Sequence, residues 1–173
     1  THPWGRATIF IDKEQKHLDA APAGATKIIC DVNNSPIPLP DKSVDFIFTS
    51  HVFEHLDDPI KVAAEISRVA KRGLFVAPHA FKDSMFLWEE GEHKWSIFNP
   101  KADGAVPFMP HDGIMISHLV DSNVQATLAR LYRIGPNRLD HDARLLRKWY
   151  QKNEKYLDVI HFWEGSLEIR LIG

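Results

Sequence analysis

The sequence predicts an α/β fold, a mostly parallel sheet flanked by helices and closed by an antiparallel hairpin. Three observations predict it. Short runs of β-branched and aromatic residues alternate with polar or helical stretches through the first half of the chain. These runs are almost continuously apolar, which suits strands covered on both faces. The clearest helical segment lies between two such runs, and strand, helix, strand in that order implies a parallel pair joined by a right-handed crossover. The chain has 173 residues, enough for one domain with a sizeable core, and residues 1–173 are read as a single domain.

The first strand run is Thr8-Ile9-Phe10-Ile11, ending at Asp12, and the second is Lys27 to Cys30, ending at Asp31. Residues 14–21 between them suit a short helix. Asp45-Phe46-Ile47-Phe48-Thr49 is the third run, and Leu74-Phe75-Val76-Ala77, stopped by Pro78, is the fourth. The helix between these last two runs from Asp58 to Arg72. Asp58 suits its N-cap and Pro59 its first turn. Ile60, Ala63, Ile66 and Ala70 recur at helical spacing, and Val62 and Val69 widen the apolar stripe. Lys71 and Arg72 favour the negative end of the helix dipole, and Gly73 suits its end. From Pro78 to about Gly113 prolines, glycines, histidines and aromatics mix without period, the mark of an irregular lid or substrate-binding region. Helices are expected at about 114–132 and 140–154. Leu157–Phe162 and Ser166–Ile172 read as a hairpin about Glu164-Gly165.

Composition narrows the function classes. A hydrophobic fraction of 44% and a charged fraction of 25% are ordinary for a globular protein, and the net charge of -2 gives no sign of a nucleic-acid or membrane surface. No apolar stretch approaches the ~20 residues a membrane span needs, and no signal peptide is visible, so a cytoplasmic setting is expected. The single cysteine, Cys30, excludes an internal disulfide and any multi-cysteine zinc site. It is expected to pack as a small hydrophobe. Ten histidines raise the question of metal.

The most specific stretch runs from Asp31 to Pro59. It contains Asp31-Val32, then Leu39-Pro40-Asp41-Lys42-Ser43-Val44-Asp45-Phe46, then Thr49-Ser50-His51-Val52-Phe53-Glu54-His55-Leu56-Asp57-Asp58-Pro59. This order resembles the class I S-adenosylmethionine (SAM) dependent methyltransferases of the type 11 kind. Their pattern is an acidic residue, Leu-Pro-x-x-Asp-x-Ser-Phe-Asp, a strand, and a Glu-His-hydrophobic-x-Asp-Pro loop. One residue fewer separates Pro40 from Ser43, and Val44 stands where the family has Phe. Ser67-Arg68-Val69-Ala70-Lys71-Arg72-Gly73 is similar to the family's Arg-Val-Leu-Lys-Pro-Gly-Gly, with Arg72 in place of proline and Leu74 in place of the second glycine. The resemblance covers residues 7–80 and, loosely, the final hairpin.

The resemblance implies a Rossmann-like fold, methyl transfer from SAM to an unidentified small-molecule acceptor, and S-adenosylhomocysteine as the other product. It implies that Asp12 accepts hydrogen bonds from the ribose hydroxyls and that Asp31 reads the adenine amino group. Val32 would offer a backbone amide and an apolar wall, and Thr49, Ser50 and His51 would approach the methionine end. A carboxylate suits a diol because, when ionised, it only accepts. The family also begins with a strand and a Gly-x-Gly loop, which nothing before Asp12 supplies. The chain begins at Thr1, so either the natural protein is longer and active, or these residues fold with a gap in the sheet, filled by a partner chain, and bind SAM poorly. A non-catalytic relic or binding module is therefore the alternative function. A homodimer is kept open as a partner.

His51-Val52-Phe53-Glu54-His55 also matches His-x-x-Glu-His, an inverted zinc-protease motif, which requires a long helix. A strand running into it and Pro59 following it make that the remote alternative. Small-RNA 2′-O-methyltransferases resemble this loop with Glu-x-x-Glu-His and bind a divalent ion there, and His51 replaces the first Glu. His51, Glu54 and His55 are thus metal candidates, but the expectation is no metal, with His55 packing locally. Trp88, His93 and Trp95 lie in the irregular region, which in the family contacts the acceptor, and are substrate candidates. His79 and His93 are candidate bases, because histidine titrates near neutral pH. No obligatory catalytic residue is assigned, since methyl transfer needs chiefly in-line positioning.

Overall fold

A computed structural model describes residues 5–80, 82, 93–111, 148, 152–153 and 157–172. Strands β1 (Ile9–Asp12) and β2 (Thr26–Ile29) pair in parallel, from Ile9 opposite Thr26 to Asp12 opposite Ile29, with the one-turn helix α1 (Gln15–Leu18) between them. Strand β3 (Ile47–Ser50) pairs in parallel with β4 (Arg72–Pro78), joined by a 3₁₀ turn (Phe53–His55) and helix α2 (Pro59–Val69). These four strands stand where the apolar runs predicted them.

Helix α2 starts where expected. The Asp58 carboxylate accepts a hydrogen bond from the Lys61 backbone N–H at 2.9 Å, and Pro59 occupies the first turn. Pro59, Val62, Ala63, Ile66 and Val69 form its buried face. At the other end, the Lys42 ammonium donates to the carbonyls of Ser67 (2.6 Å) and Ala70 (3.1 Å), which suits the negative end of the helix dipole. Two expectations are corrected. Ile60, placed on the apolar stripe, is exposed. The helix ends at Val69, and Gly73 belongs to β4 instead of stopping the helix. A Cβ at Gly73 would lie 2.6 Å from the Ile47 carbonyl oxygen and 2.8 Å from the Trp163 ring, so glycine there permits close approach of neighbouring strands.

Residues 78–113, expected to be irregular, contain β5 (Trp95–Ile97) paired antiparallel with β6 (Val106–Pro110). Both strands are short and carry prolines, serine and aromatics without alternation, which hid them. The terminal strands β7 (Asp158–Glu164) and β8 (Ile169–Leu171) do not form a hairpin with each other. β7 runs antiparallel along β4 for its whole length, from Arg72 opposite Glu164 to Pro78 opposite Asp158. β8 pairs in parallel with β6. The turn through Gly165 (φ 81°) carries the chain from one sheet to the other. It is pinned by bonds from Gly165 N–H to Lys71 C=O and from Leu167 N–H to Ser67 Oγ, each 2.9 Å. The expected helices at 114–132 and 140–154 lie outside the described residues, apart from Lys148, Lys152 and Asn153, which are helical.

The described strands thus form three sheets, ordered β1-β2, β3-β4-β7 and β5-β6-β8. Among the described residues no strand links β1 to β3. The core joins the second and third sheets. Phe53, from the 3₁₀ turn, meets Phe75 of β4 edge-on at 5.1 Å and Phe108 of β6 at 6.2 Å. Around them lie the buried face of α2, Ile97, Val106, Val159 and Trp163. Ile11 and Val32 pack against this cluster from the first sheet. The other face of β3-β4-β7 leaves Phe48, Ile160 and Phe162 exposed. No helix among the described residues is long and apolar enough to cross a membrane.

Candidate functional site

In an open sheet with parallel strands, ligands bind beyond the carboxyl ends. The six sequence-predicted cofactor positions, Asp12, Asp31, Val32, Thr49, Ser50 and His51, stand at or just after such strand ends. Asp12 closes β1, and its Oδ1 accepts from the Glu14 backbone N–H (2.9 Å) and contacts His17 Nδ1 (3.0 Å). The backbone bond from Cys30 N–H to Asp12 C=O (3.0 Å) brings Asp31 to the same edge. Asp31 is committed to its own turn. Its Oδ1 accepts from Asn33 N–H (3.1 Å) and its Oδ2 from the Asn34 amide (2.7 Å). The turn then reaches the loop after β3, because Asn33 Oδ1 accepts from Asp57 N–H at 2.9 Å and the Lys61 ammonium reaches Asn33 C=O at 3.3 Å. Val32 packs partly buried on the core.

The carboxyl end of β3 is denser in polar groups. Thr49 is buried, and its hydroxyl has no hydrogen-bond partner among the described residues. Ser50 is the last residue of β3. His51 follows with φ 54°, a left-handed conformation that an L-residue adopts only at a cost and that recurs at functional sites. Its Nδ1 lies 3.3 Å from Glu54 Oε1 and its Nε2 3.9 Å from Asp158 Oδ2. The Glu54 carboxylate raises the pKa of His51 above its ordinary value, against the lowering effects of burial and of Lys82. Glu54 itself is completely buried. The 3.3 Å contact is long for a hydrogen bond, and neither carboxylate oxygen has a well-formed hydrogen bond. Lys82 and Asp158 form a buried ion pair at 2.7 Å beside them.

The segment 51–55 is a strand end, a left-handed residue and one 3₁₀ turn. It does not set His51 and His55 on one helical face as a protease zinc site would require. His93 is buried against His55, with the rings edge-to-face at 4.8 Å. Trp95 spends its indole N–H on the Leu56 carbonyl (2.8 Å) and its ring on Phe108 (6.3 Å). The His79 ring meets Phe98 edge-on at 5.8 Å. Trp88 lies outside the described residues. Sequence reasoning missed Lys82 and Asp158, which meet across 76 positions with no local pattern to join them.

Comparison with known proteins gives a family match over the first part of the chain. Residues 5–77 match the family described as "Methyltransferase domain". No curated protein matches the chain. Among solved structures, an S-adenosylmethionine dependent methyltransferase from Mesorhizobium loti is similar at 14% identity and a TM-score of 0.44, over 89% of this chain and 78% of that one. The matched residues hold β1, β2, β3, α2, nearly all of β4 and the carboxyl-end loops, and over that stretch the chain is similar to the methyltransferase-domain family.

Proposed function

We propose that the chain transfers a methyl group from SAM to a small-molecule acceptor, at the carboxyl ends of β1 to β4. The observation that carries this reading is the joining of the two loops. The bond between Asp57 N–H and Asn33 Oδ1 ties the turn holding Asp31 and Val32 to the segment holding Thr49, Ser50 and His51. Asp12 stands one strand away on the same edge.

SAM supplies a methyl group on a sulfonium and leaves as S-adenosylhomocysteine. The residues of the chain bind and orient. The Glu14 N–H and His17 contacts of Asp12 fall on Oδ1, which supports giving Oδ2 the role of acceptor for the ribose diol. Asp31 holds its turn through both oxygens, and each retains a second lone pair for the adenine amino group. Val32 supplies the apolar wall. The buried, unpartnered Thr49 hydroxyl fits a polar group of the methionine end, because a buried hydroxyl without a partner is costly. Positioning an acceptor in line with the sulfonium accounts for much of the rate such a site provides. His79 and His93 are the titratable side chains offered as bases from the segment after β4. Trp88, His93 and Trp95 are offered toward the acceptor.

Calorimetric titration with S-adenosylhomocysteine tests the reading. Saturable one-to-one binding is expected, weakened about tenfold or more by Asp12→Ala, since a hydrogen bond to a charged group contributes about 1.5–3 kcal/mol. Asp12→Asn, which keeps one acceptor for the Glu14 N–H, separates ligand loss from damage to α1. Unchanged affinity in both variants overturns the ribose role. Absence of any saturable binding favours the non-catalytic reading.

A further inference from the structure

We propose that His17 is a positioning residue of the cofactor site, fixing the Asp12 carboxylate in an orientation that leaves Oδ2 open to the ribose diol. This rests on the ribose role of Asp12 and adds the side chain that prepares Asp12 for it.

Asp12 is held at three points. Its backbone C=O accepts from Cys30 N–H at 3.0 Å. Its Oδ1 accepts from Glu14 N–H at 2.9 Å and lies 3.0 Å from His17 Nδ1. An ionised carboxylate only accepts hydrogen bonds, so this contact requires a proton on Nδ1. The Nδ1–H tautomer and the imidazolium both provide one. The terminal torsion of an aspartate is otherwise broad. Two donors converging on one oxygen, one from the backbone and one from a side chain, restrict that rotation. The Asp12 side chain is 34% exposed, so these bonds do not close it to a ligand. An acceptor ordered beforehand spares the ligand the entropy of ordering it on binding.

The sequence builds this arrangement locally. His17 lies on the single turn of α1, five positions after Asp12. Bonds from His17 N–H to Glu14 C=O and from Asp19 N–H to Gln15 C=O, each 3.1 Å, close that turn, and the Gln15 amide donates to Asp19 Oδ1 at 2.8 Å. Leu18, next to His17, is buried and anchors the turn to the body of the protein. The Glu14 carboxylate is the other acidic group whose charge interacts with His17, and it pairs with Lys16. His17 is thereby left to Asp12. The His17 side chain is 53% exposed, and an exposed pair of this kind contributes little to stability. Its removal therefore leaves the fold standing, so a change in ligand affinity reports on orientation.

The test is calorimetric titration of the full chain with two probes, S-adenosylhomocysteine and its 2′,3′-dideoxy analogue, which lacks the diol. His17→Ala should weaken S-adenosylhomocysteine about threefold to tenfold, the size of one modest hydrogen bond, and leave the dideoxy analogue unchanged. Alanine is the better helix former, so such a loss does not come from melting α1. His17→Asn, no better a helix former than histidine, sets an amide N–H near the place of Nδ1 and should return affinity to within about twofold of the parent. If Asp12→Ala weakens S-adenosylhomocysteine and His17→Ala does not, the positioning role is overturned while the ribose role stands. Equal losses for both probes in His17→Ala make the effect structural and also overturn it. Affinity unchanged by Asp12→Ala, or no saturable binding by the parent, overturns the ribose role and this inference with it.

Discussion

At the scale of single residues, burial and charge decide the chemistry. Among the described residues, the side-chain oxygens and nitrogens buried without a hydrogen-bond partner are Thr49 Oγ1 and the two oxygens of Glu54. All three lie within six residues of one another at the end of β3, beside the left-handed His51. Unsatisfied buried groups of this kind call for a ligand or ion, and their clustering is why the site is placed here. Elsewhere single residues behave as packing. Cys30 is buried, and burial first, with the charges of Asp31 and Glu65 after it, raises its thiol pKa. His161 on β7 is held below the ordinary histidine range by burial. Its folded form resists protonation, so its contribution to stability is full above the unfolded pKa of about 6.5 and is lost as pH falls toward the lower folded value. Urea melts at pH 7.5 and 5.5 should therefore show His161→Gln gaining on the parent at the lower pH. An equal difference at both values would contradict the sign.

At the scale of elements, the sequence announced what local chemistry controls. Asp58 and Pro59 marked the start of α2, and Asp58→Ala should lower stability by about 1 kcal/mol in urea unfolding, with Asp58→Asn retaining most of it. A midpoint unchanged by Asp58→Ala would remove the cap from the account. The four apolar runs became β1 to β4 for the same local reason. What was illegible depended on distant partners. Gly73 read as a helix stop, yet it is the position where β4 meets the Ile47 carbonyl and Trp163. Gly73→Ala should cost about 3 kcal/mol, since overpacking a filled interior typically costs about 1–3 kcal/mol and occasionally more. A urea midpoint equal to the parent's would show that the strands can part. β5 and β6 were hidden because they form only through each other and through distant rings, Phe108 of β6 meeting Phe53 and Phe75 and Trp95 of β5 meeting Phe108, and the hairpin failed because β7 found β4 and β8 found β6.

A charged clamp shows how the motif loop is carried by long-range contacts. Arg68 of α2 bonds Glu65 through Nε and Nη2 (2.8 and 2.7 Å) and Asp41 through Nη1 (2.6 Å), and it donates to the carbonyls of Ile37 and Leu39 at 3.0 Å each. Glu65 in turn accepts from Ile37 N–H at 2.7 Å, and Arg68 holds its carboxyl below the usual range. The Leu39-Pro40 motif and the Arg68 motif were legible as separate resemblances. Their mutual contact, which folds the loop after β2 onto α2, was not.

At the scale of the whole molecule, three sheets meet around the core, and the polar site lies where the carboxyl ends of the parallel strands converge. The α/β class and the positions of Asp12, Asp31 and Thr49–His51 were readable because strand ends are local features. The meeting of Glu54 and His55 with His93, and the Lys82–Asp158 pair, were not, because tertiary contacts across 38 and 76 positions create them. The central claim, a SAM site at those strand ends, is tested most directly by amide chemical-shift mapping of the labelled chain with S-adenosylhomocysteine. The account predicts saturable shifts centred on Asp12, Asp31, Val32 and Thr49 to His51, with β5, β6 and β8 little changed. Saturable shifts confined to β5, β6 and β8, or none at all, would contradict it.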